Sequence, residues 1–290
     1  MQSKSLNQPK TSRLTRRTLL NRAAKLSLLG GALLGWTFFI EPHWLSISNL
    51  ELSLANLPSY WNGKRLVQIS DLHVGQTSNS YLQKCLETVN ELQPDLLVVT
   101  GDFIDHTGGI EQLSSVLAKL RPAKNGSFAC LGNHDYGHRW SDVQLSSHVM
   151  SIAKDHGIEV MRDAQTQIDG LTLFGLDDFW SPRNRSAQEL LKSSDPNVAS
   201  ICLCHNPDFY DHLDWSWFRG VILSGHTHGG QCKPPFLPPP LLPVTNRLYT
   251  SGFIDIGPDQ QMYINRGLGH TLQVRFNCRP EITVFTLRTG

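Results

Sequence analysis

Metal-binding residue types fall in five short groups: Asp71 and His73 in "SDLH", Asp102 and Asp105 in "GDFID", Asn133, His134 and Asp135 in "GNHD", His205 in "CLCHN", and His226 and His228 in "GHTHGGQ". This mixture of carboxylate, carboxamide and imidazole suits Mn, Fe or Zn better than Mg or Ca. In an extended segment residues i and i+2 face the same way, so Asp71 with His73, and His226 with His228, are expected to converge on one centre. The helical HExxH arrangement would need i and i+4. Neither a Ser-His-Asp nucleophile motif nor a Walker-type phosphate loop is apparent. Each group alone has an ordinary explanation, since Asp caps helices and Asn-His pairs sit in turns. Five in succession, each closing an apolar run, are not explained that way. Glycines at 101, 132, 225, 229 and 230 allow tight turns and close backbone approach to a metal or phosphate.

The runs that carry these groups are β-rich: "RLVQIS" (65–70), "DLLVVT" (95–100), "SFACLG" (127–132), "LTLFGL" (171–176), "VASICLC" (198–204) and "GVILSG" (220–225). Between them Leu82, Cys85, Leu86, Val89 and Leu92, then Ile110, Leu113, Val116, Leu117 and Leu120, recur at helical spacing. Strand alternates with helix, so the fold class is α/β, and the groups stand where open α/β sheets place their ligand crevice. "QMYINRG" and "EITVFTL" read as strands without long helices between them, which suggests a second or mixed sheet completing a sandwich.

With 290 residues and 40% hydrophobic content the chain can bury a sizeable core, which excludes a disordered polymer. Its net charge of +1 and lack of a basic stripe argue against nucleic acid as a partner. The six cysteines follow neither a zinc-finger ladder nor a disulfide scaffold and are expected to be buried thiols, Cys202 and Cys204 sharing one strand face. Residues 1–45 read as a targeting segment: no acid precedes Glu41, "TRRTLL" places Arg16 and Arg17 as a twin-arginine export signal does, and an apolar stretch runs from Leu26 to Ile40. Residues 46–290 form one domain. The Pro-rich "KPPFLPPPLLPV" (233–244) is either a stiff surface loop or a hydrophobic lip beside a site or a membrane.

The order DxH, GDxxD, GNHD, H, GHTH resembles the calcineurin-like metallophosphoesterase superfamily. With "EPHW", "QISDLHVG" and the tail from "INRGLG" to "RFNCRPEITVFTL", the chain resembles its bacterial YkuE and YaeI branch of exported or membrane-associated phosphodiesterases. The resemblance implies a four-layer αββα sandwich of two mixed β-sheets flanked by helices, with two metal ions between the sheets. It implies that Asp71, His73, Asp102 and His228 hold one ion, that Asp102, Asn133, His205 and His226 hold the other, and that His134 acts as the catalytic group at the substrate phosphate. Asp105 and Asp135 are expected to orient ligands, and His138 and Arg266 to touch the phosphate or its leaving group. The other histidines, at 43, 106, 148, 156, 212 and 270, carry no assignment.

Two cations about 3.5 to 4 Å apart polarise a phosphoryl oxygen and hold a hydroxide in line for attack. The expected activity is therefore phosphodiester or pyrophosphate hydrolysis by a metal-bridged hydroxide. The apolar lip and leader point towards a lipid-linked or cell-envelope substrate, the twin-arginine translocation machinery as a partner, and a periplasmic or outer membrane-face location. The alternatives are a phosphomonoesterase of protein-phosphatase type and a non-catalytic metal-binding envelope protein.

Overall fold

The computed structural model describes residues 15–105, 107–182, 186–257 and 260–290, so His106 lies outside it. In chain order its strands are β1 (Ser46–Leu54), β2 (Arg65–Ile69), β3 (Leu96–Thr100), β4 (Ser127–Cys130), β5 (Ile158–Val160), β6 (Ala164–Ile168), β7 (Leu171–Gly175), β8 (Ser200–Leu203), β9 (Gly220–Ser224), β10 (Gly252–Asp255), β11 (Gln260–Ile264) and β12 (Glu281–Thr289). The helices are α1 (Arg16–Gly35), α2 (Asn79–Glu91), α3 (Ile110–Leu117), α4 (Val143–Asp155) and α5 (Ala187–Lys192).

The strands form two mixed six-stranded sheets, ordered β1-β12-β2-β3-β4-β5 and β10-β11-β9-β8-β7-β6. In the first, β2 to β5 run parallel and β12 returns antiparallel to β2; in the second, β7, β8, β9 and β11 run parallel between two antiparallel edges. Alternation along each strand divides the core. Leu66, Leu96, Val98, Phe128, Ile201, Leu203, Val221 and Leu223 pack between the sheets, while Val67, Ile69, Leu97 and Val99 face α2, α3 and α4. Cys202 in β8 and Cys204 just past its end point to the same outer face, buried as free thiols among Phe174, Trp215 and Phe218. Runs buried on both faces read as continuous hydrophobic stretches, which is why the central strands were visible in the sequence. The product is four layers, helix, sheet, sheet and helix.

Phe285, fully buried between the sheets, packs edge-on to Tyr263 with ring centroids 5.0 Å apart. Phe285→Ala is expected to destabilise the domain by about 3–5 kcal/mol through lost burial and the cavity left behind. The loss is read as a lower denaturant midpoint with an unchanged slope.

The leading helix is longer than the apolar run suggested. α1 starts at an N-cap where Thr15 Oγ1 accepts from Thr18 N at 3.2 Å. It continues without a break through wider and then tighter turns to His43, making 28 residues apolar and long enough to cross a bilayer. No side chain of α1 is buried.

Candidate metal centre

Both sheets present the carboxyl ends of their central strands at one edge, and the five groups meet there. Past the ends of β2 and β3 the ladder continues as loop hydrogen bonds, Asp71 N to Gly101 O (3.0 Å) and His73 N to Asp102 O (3.1 Å). Across the sheets, Gln68 Nε2 donates to Ser224 O (2.9 Å) and His226 N donates to Asp71 Oδ1 (3.1 Å). Asp71, His73, Asp102, His226 and His228 all have φ between 47° and 72°. Left-handed backbone at non-glycine residues costs energy and concentrates at functional sites. It also corrects the reason expected for their meeting: Asp71 and His73 do share a cluster, His73 Nε2 lying 3.9 Å from Asp71 Oδ1, but not through strand alternation. Left-handed residues alternate with ordinary ones in these segments, and they send His226 and His228 to different neighbours. Gly132 and Gly225 make the closeness possible: a Cβ on the first would overlap Asp102 Oδ1, and one on the second Ser70 Oγ and Asp71 Oδ2.

Two donor clusters result. In one, His228 Nε2 lies 3.1 Å from His73 Nε2 and 3.3 Å from Asp71 Oδ1. In the other, His205 Nε2 lies 3.3 Å from His226 Nδ1. Asp102 stands between them, its Oδ2 being 3.5 Å from His73 Nε2 and 3.2 Å from His205 Nε2. All these side chains are buried, and Asn133 beside them has a buried Oδ1 with no hydrogen-bond partner among the described residues.

The far side of each ring fixes which nitrogen carries the proton. His73 Nδ1 donates to Asp105 Oδ1 (3.2 Å), His205 Nδ1 to Thr100 O (2.6 Å) and His226 Nε2 to Pro243 O (2.9 Å). Three imidazoles so oriented turn their other nitrogens toward one another and toward two carboxylates, where each can give a lone pair to a cation. Without a cation His205 keeps a second proton on Nε2, 3.2 Å from Asp102 Oδ2 and 3.3 Å from His226 Nδ1, whereas cations between these atoms would take that proton's place and make a ligand of every inward atom, the orphaned Asn133 oxygen included. The donor set therefore fits two cations.

Charges inside the cluster answer to each other. Burial opposes ionisation of Asp102, but the surrounding His205, His134 and His73 more than offset it and hold the carboxyl well below the usual carboxylate range. Burial also opposes charge on His205, yet Asp102 pushes that imidazole up to about 10. Burial, aided by His205, takes His226 down to about 3.

Asp105 accepts from His73, as expected of an orienting group. Asp135 acts through the backbone, accepting from Asp102 N, Phe103 N, Ile104 N and Gly132 N and so shaping the loop that carries Asp102. His134, whose Nδ1 lies 2.8 Å from Asp105 O, lines a cavity of about 550 Å³ floored by Asp102, Asn133, His226 and His228. Two other candidates are not brought there. His138 is exposed outside the cavity wall. Arg266 makes a two-pronged ion pair with buried Glu281, Nε to Oε2 and Nη2 to Oε1 both at 3.1 Å.

The cavity wall also holds residues the motifs did not mark. Trp140 and Trp180 stack at 4.4 Å, Trp180 standing edge-on to His226 at 4.9 Å. Leu241, Leu242 and Pro243 of the Pro-rich loop, with Leu272 and Val274, make the rest largely apolar. Asp178, which follows β7 as the other groups follow their strands, is buried nearby, accepts from Trp180 N (2.8 Å), and is pushed up to about 7 by burial. Its place after a strand was the overlooked signal.

The sequence profile of the calcineurin-like phosphoesterase family matches residues 64–230. The chain is 33% identical to the metallophosphoesterase YkuE of Bacillus subtilis, covering 91% of this chain and 92% of that one. It is 29% identical to the phosphodiesterase YaeI of Escherichia coli over 94% and 98% of the two chains. To the UDP-2,3-diacylglucosamine pyrophosphatase LpxG of Chlamydia trachomatis it is 28% identical over 90% and 95%.

Proposed function

Because the chain belongs to the calcineurin-like phosphoesterase family and is a hydrolase of phosphoester bonds, we propose that it is a two-metal phosphodiesterase acting on a lipid-linked phosphodiester or pyrophosphate at the outer face of a membrane. The observation that carries this reading is the cavity, which joins a polar floor of paired donor clusters to a largely apolar wall. A phosphoryl group fits the floor and an acyl or other hydrophobic substituent fits the wall. The pyrophosphatase relative, named for a diacylated substrate, supports the same class.

On this reading Asp71, His73, Asp102 and His228 hold one cation and Asp102, Asn133, His205 and His226 the other, with Asp102 shared. Mn, Fe or Zn match the donor chemistry. Bound there, the pair supplies Lewis acidity at the phosphoryl oxygens and brings the pKa of water towards neutrality. The chain's residues do the rest. Asp105, Thr100 and Pro243 hold three imidazoles so that the other ring nitrogen points inwards, ready to give its lone pair to a cation. The apolar wall limits bulk water, and His134 presents its ring to the departing oxygen or to charge on the phosphoryl group.

Residues 1–45 are the proposed leader and 46–290 the catalytic domain. The basic residues Arg16, Arg17, Arg22 and Lys25 precede the most apolar part of α1, which by the positive-inside rule leaves the domain outside the cytoplasm. Export after folding by the twin-arginine route suits a protein that acquires metals beforehand.

The test is metal removal. Dialysis against a chelator is expected to abolish hydrolysis of bis-p-nitrophenyl phosphate and to lower the melting temperature; Mn, Fe or Zn should restore both, with about two ions per chain by elemental analysis. Full activity in metal-free protein would overturn the two-metal reading. A higher kcat/KM on the matched monoester would overturn the diesterase assignment.

A further inference from the structure

The rim of the cavity is built unlike the surface of a water-soluble enzyme. Pro234–Leu242 projects Phe236 with its side chain fully exposed, Leu241 at 79% and Leu237 at 62%, and across the mouth Leu272 is 67% exposed. Clusters of exposed large apolar residues mark interaction surfaces. Phe236 also has φ 66°, a conformation that bulky residues avoid, so the loop bears strain to hold an aromatic ring out where none of the described residues covers it.

The loop is not loose. Lys233 N donates to Phe276 O (2.8 Å) and Arg247 Nη2 to Pro239 O (2.7 Å), while Thr245 N and Asn246 N donate to the Asp208 carboxylate. Prolines at 234, 235, 238, 239 and 240 stiffen it further. The projection is thus part of the fold.

The same face receives the apolar helix. Arg275 N donates to Thr37 O (3.0 Å), Gln273 Nε2 to Phe38 O (3.1 Å), Cys278 N to Glu41 Oε1 (2.7 Å) and Arg279 Nε to Trp44 O (2.9 Å). The base of α1 is fastened to the segment 273–279, directly after Leu272. Where α1 enters a bilayer, the rim stands at that surface.

Charge agrees. From Gln231 to Ile254, and again from Arg266 to Pro280, there is no Asp or Glu; of the bases there, Lys233 and Arg247 are exposed and Arg279 half-buried, while Arg275 is buried and Arg266 is paired with Glu281. Exposed apolar groups beside the exposed bases Lys233 and Arg247, on segments that carry no acid of their own, complement an anionic lipid surface.

We propose that the rim of Pro234–Leu242 and Leu272 inserts into the outer leaflet of a lipid bilayer, so that the cavity mouth opens among the headgroups and a lipid substrate reaches the donor clusters without leaving the membrane. This goes beyond anchoring by α1, which brings the rim to the bilayer surface but puts none of its side chains into lipid, and it deepens the proposed lipid phosphodiesterase.

The experiment uses the full chain reconstituted into vesicles of phosphatidylcholine with phosphatidylglycerol. An environment-sensitive fluorophore is attached at Phe236→Cys, at Leu237→Cys and, for comparison, at Lys124→Cys, each in a Cys232→Ser background because Cys232 is the partly exposed native thiol. Lys124 is exposed in the loop before β4, at the amino edge of the sheet and opposite the site. Lipids carrying a nitroxide on the acyl chain are expected to quench positions 236 and 237 several-fold more than 124. Quenching at 236 and 237 no stronger than at 124 overturns the proposal. Hydrolysis of bis-p-nitrophenyl phosphate by the wild-type chain in the same vesicles reports the diesterase reading separately, so failure of one is not mistaken for failure of the other.

Discussion

Asp102→Ala is expected to reduce turnover of an aryl phosphodiester by on the order of 10³ or more while leaving the domain folded. Asp102 Oδ2 is the atom near nitrogens of both clusters, 3.5 Å from His73 and 3.2 Å from His205, so its loss strips an anionic ligand from both proposed cations at once. A shared ligand that fixes two Lewis acids supports several kcal/mol of transition-state stabilisation, and about 4 kcal/mol corresponds to a thousandfold in rate. The loop survives because it is held elsewhere: Asp135 accepts the backbone N–H groups of Asp102, Phe103, Ile104 and Gly132. What Asp102 itself supports is the His134 N–H on its Oδ1 (2.9 Å) and the charge on His205, which in the variant can revert to neutral imidazole. The checks are initial rates at saturating metal, metal content, and a thermal melt. A variant with near wild-type rates and two ions per chain would remove Asp102 from the centre. One that fails to fold would show that the carboxylate is structural.

Much of this architecture was legible because the central strands are buried on both faces. Runs such as "DLLVVT" and "SICLC" need no partner to be recognised as strands, and a polar group closing each one is conspicuous against them. Less visible was how those groups turn. The spacing of Asp71 and His73 suggested an extended segment, but φ values near 50° give both residues left-handed backbone, a property that residue types do not announce. Arg266 looked available for a phosphate in sequence. Its partner Glu281 becomes a neighbour only when β12 pairs with β1 and leaves its first residue beside the loop after β11. The apolar rim was ambiguous for a related reason. Twelve residues rich in proline and leucine read equally as a stiff loop or as a lip, and only their position above the donor clusters, with Leu272 and Val274 from another segment, separates the two.

His134→Ala separates leaving-group protonation from metal chemistry. The residue sits in the cavity wall beside the floor donors but is not one of them. Its Nδ1 is engaged with the Asp105 carbonyl at 2.8 Å, which leaves proton transfer to Nε2 on the opposite edge of the ring. Removing a general acid costs about 10²–10⁴-fold where the leaving oxygen must be protonated. A p-nitrophenolate leaves without that help and an alkoxide does not. The variant is therefore expected to lose about 10²-fold or more in kcat on an alkyl phosphodiester, and far less on bis-p-nitrophenyl phosphate, with metal content unchanged. The backbone N–H of residue 134 still reaches Asp102 Oδ1 in the variant, so the centre itself is undisturbed. Equal losses on both substrates would instead assign His134 to stabilising charge on the phosphoryl oxygens, a role indifferent to the leaving group. No loss on either would take it out of the reaction, and would leave the Lewis acidity of the two proposed cations to carry the bond cleavage alone.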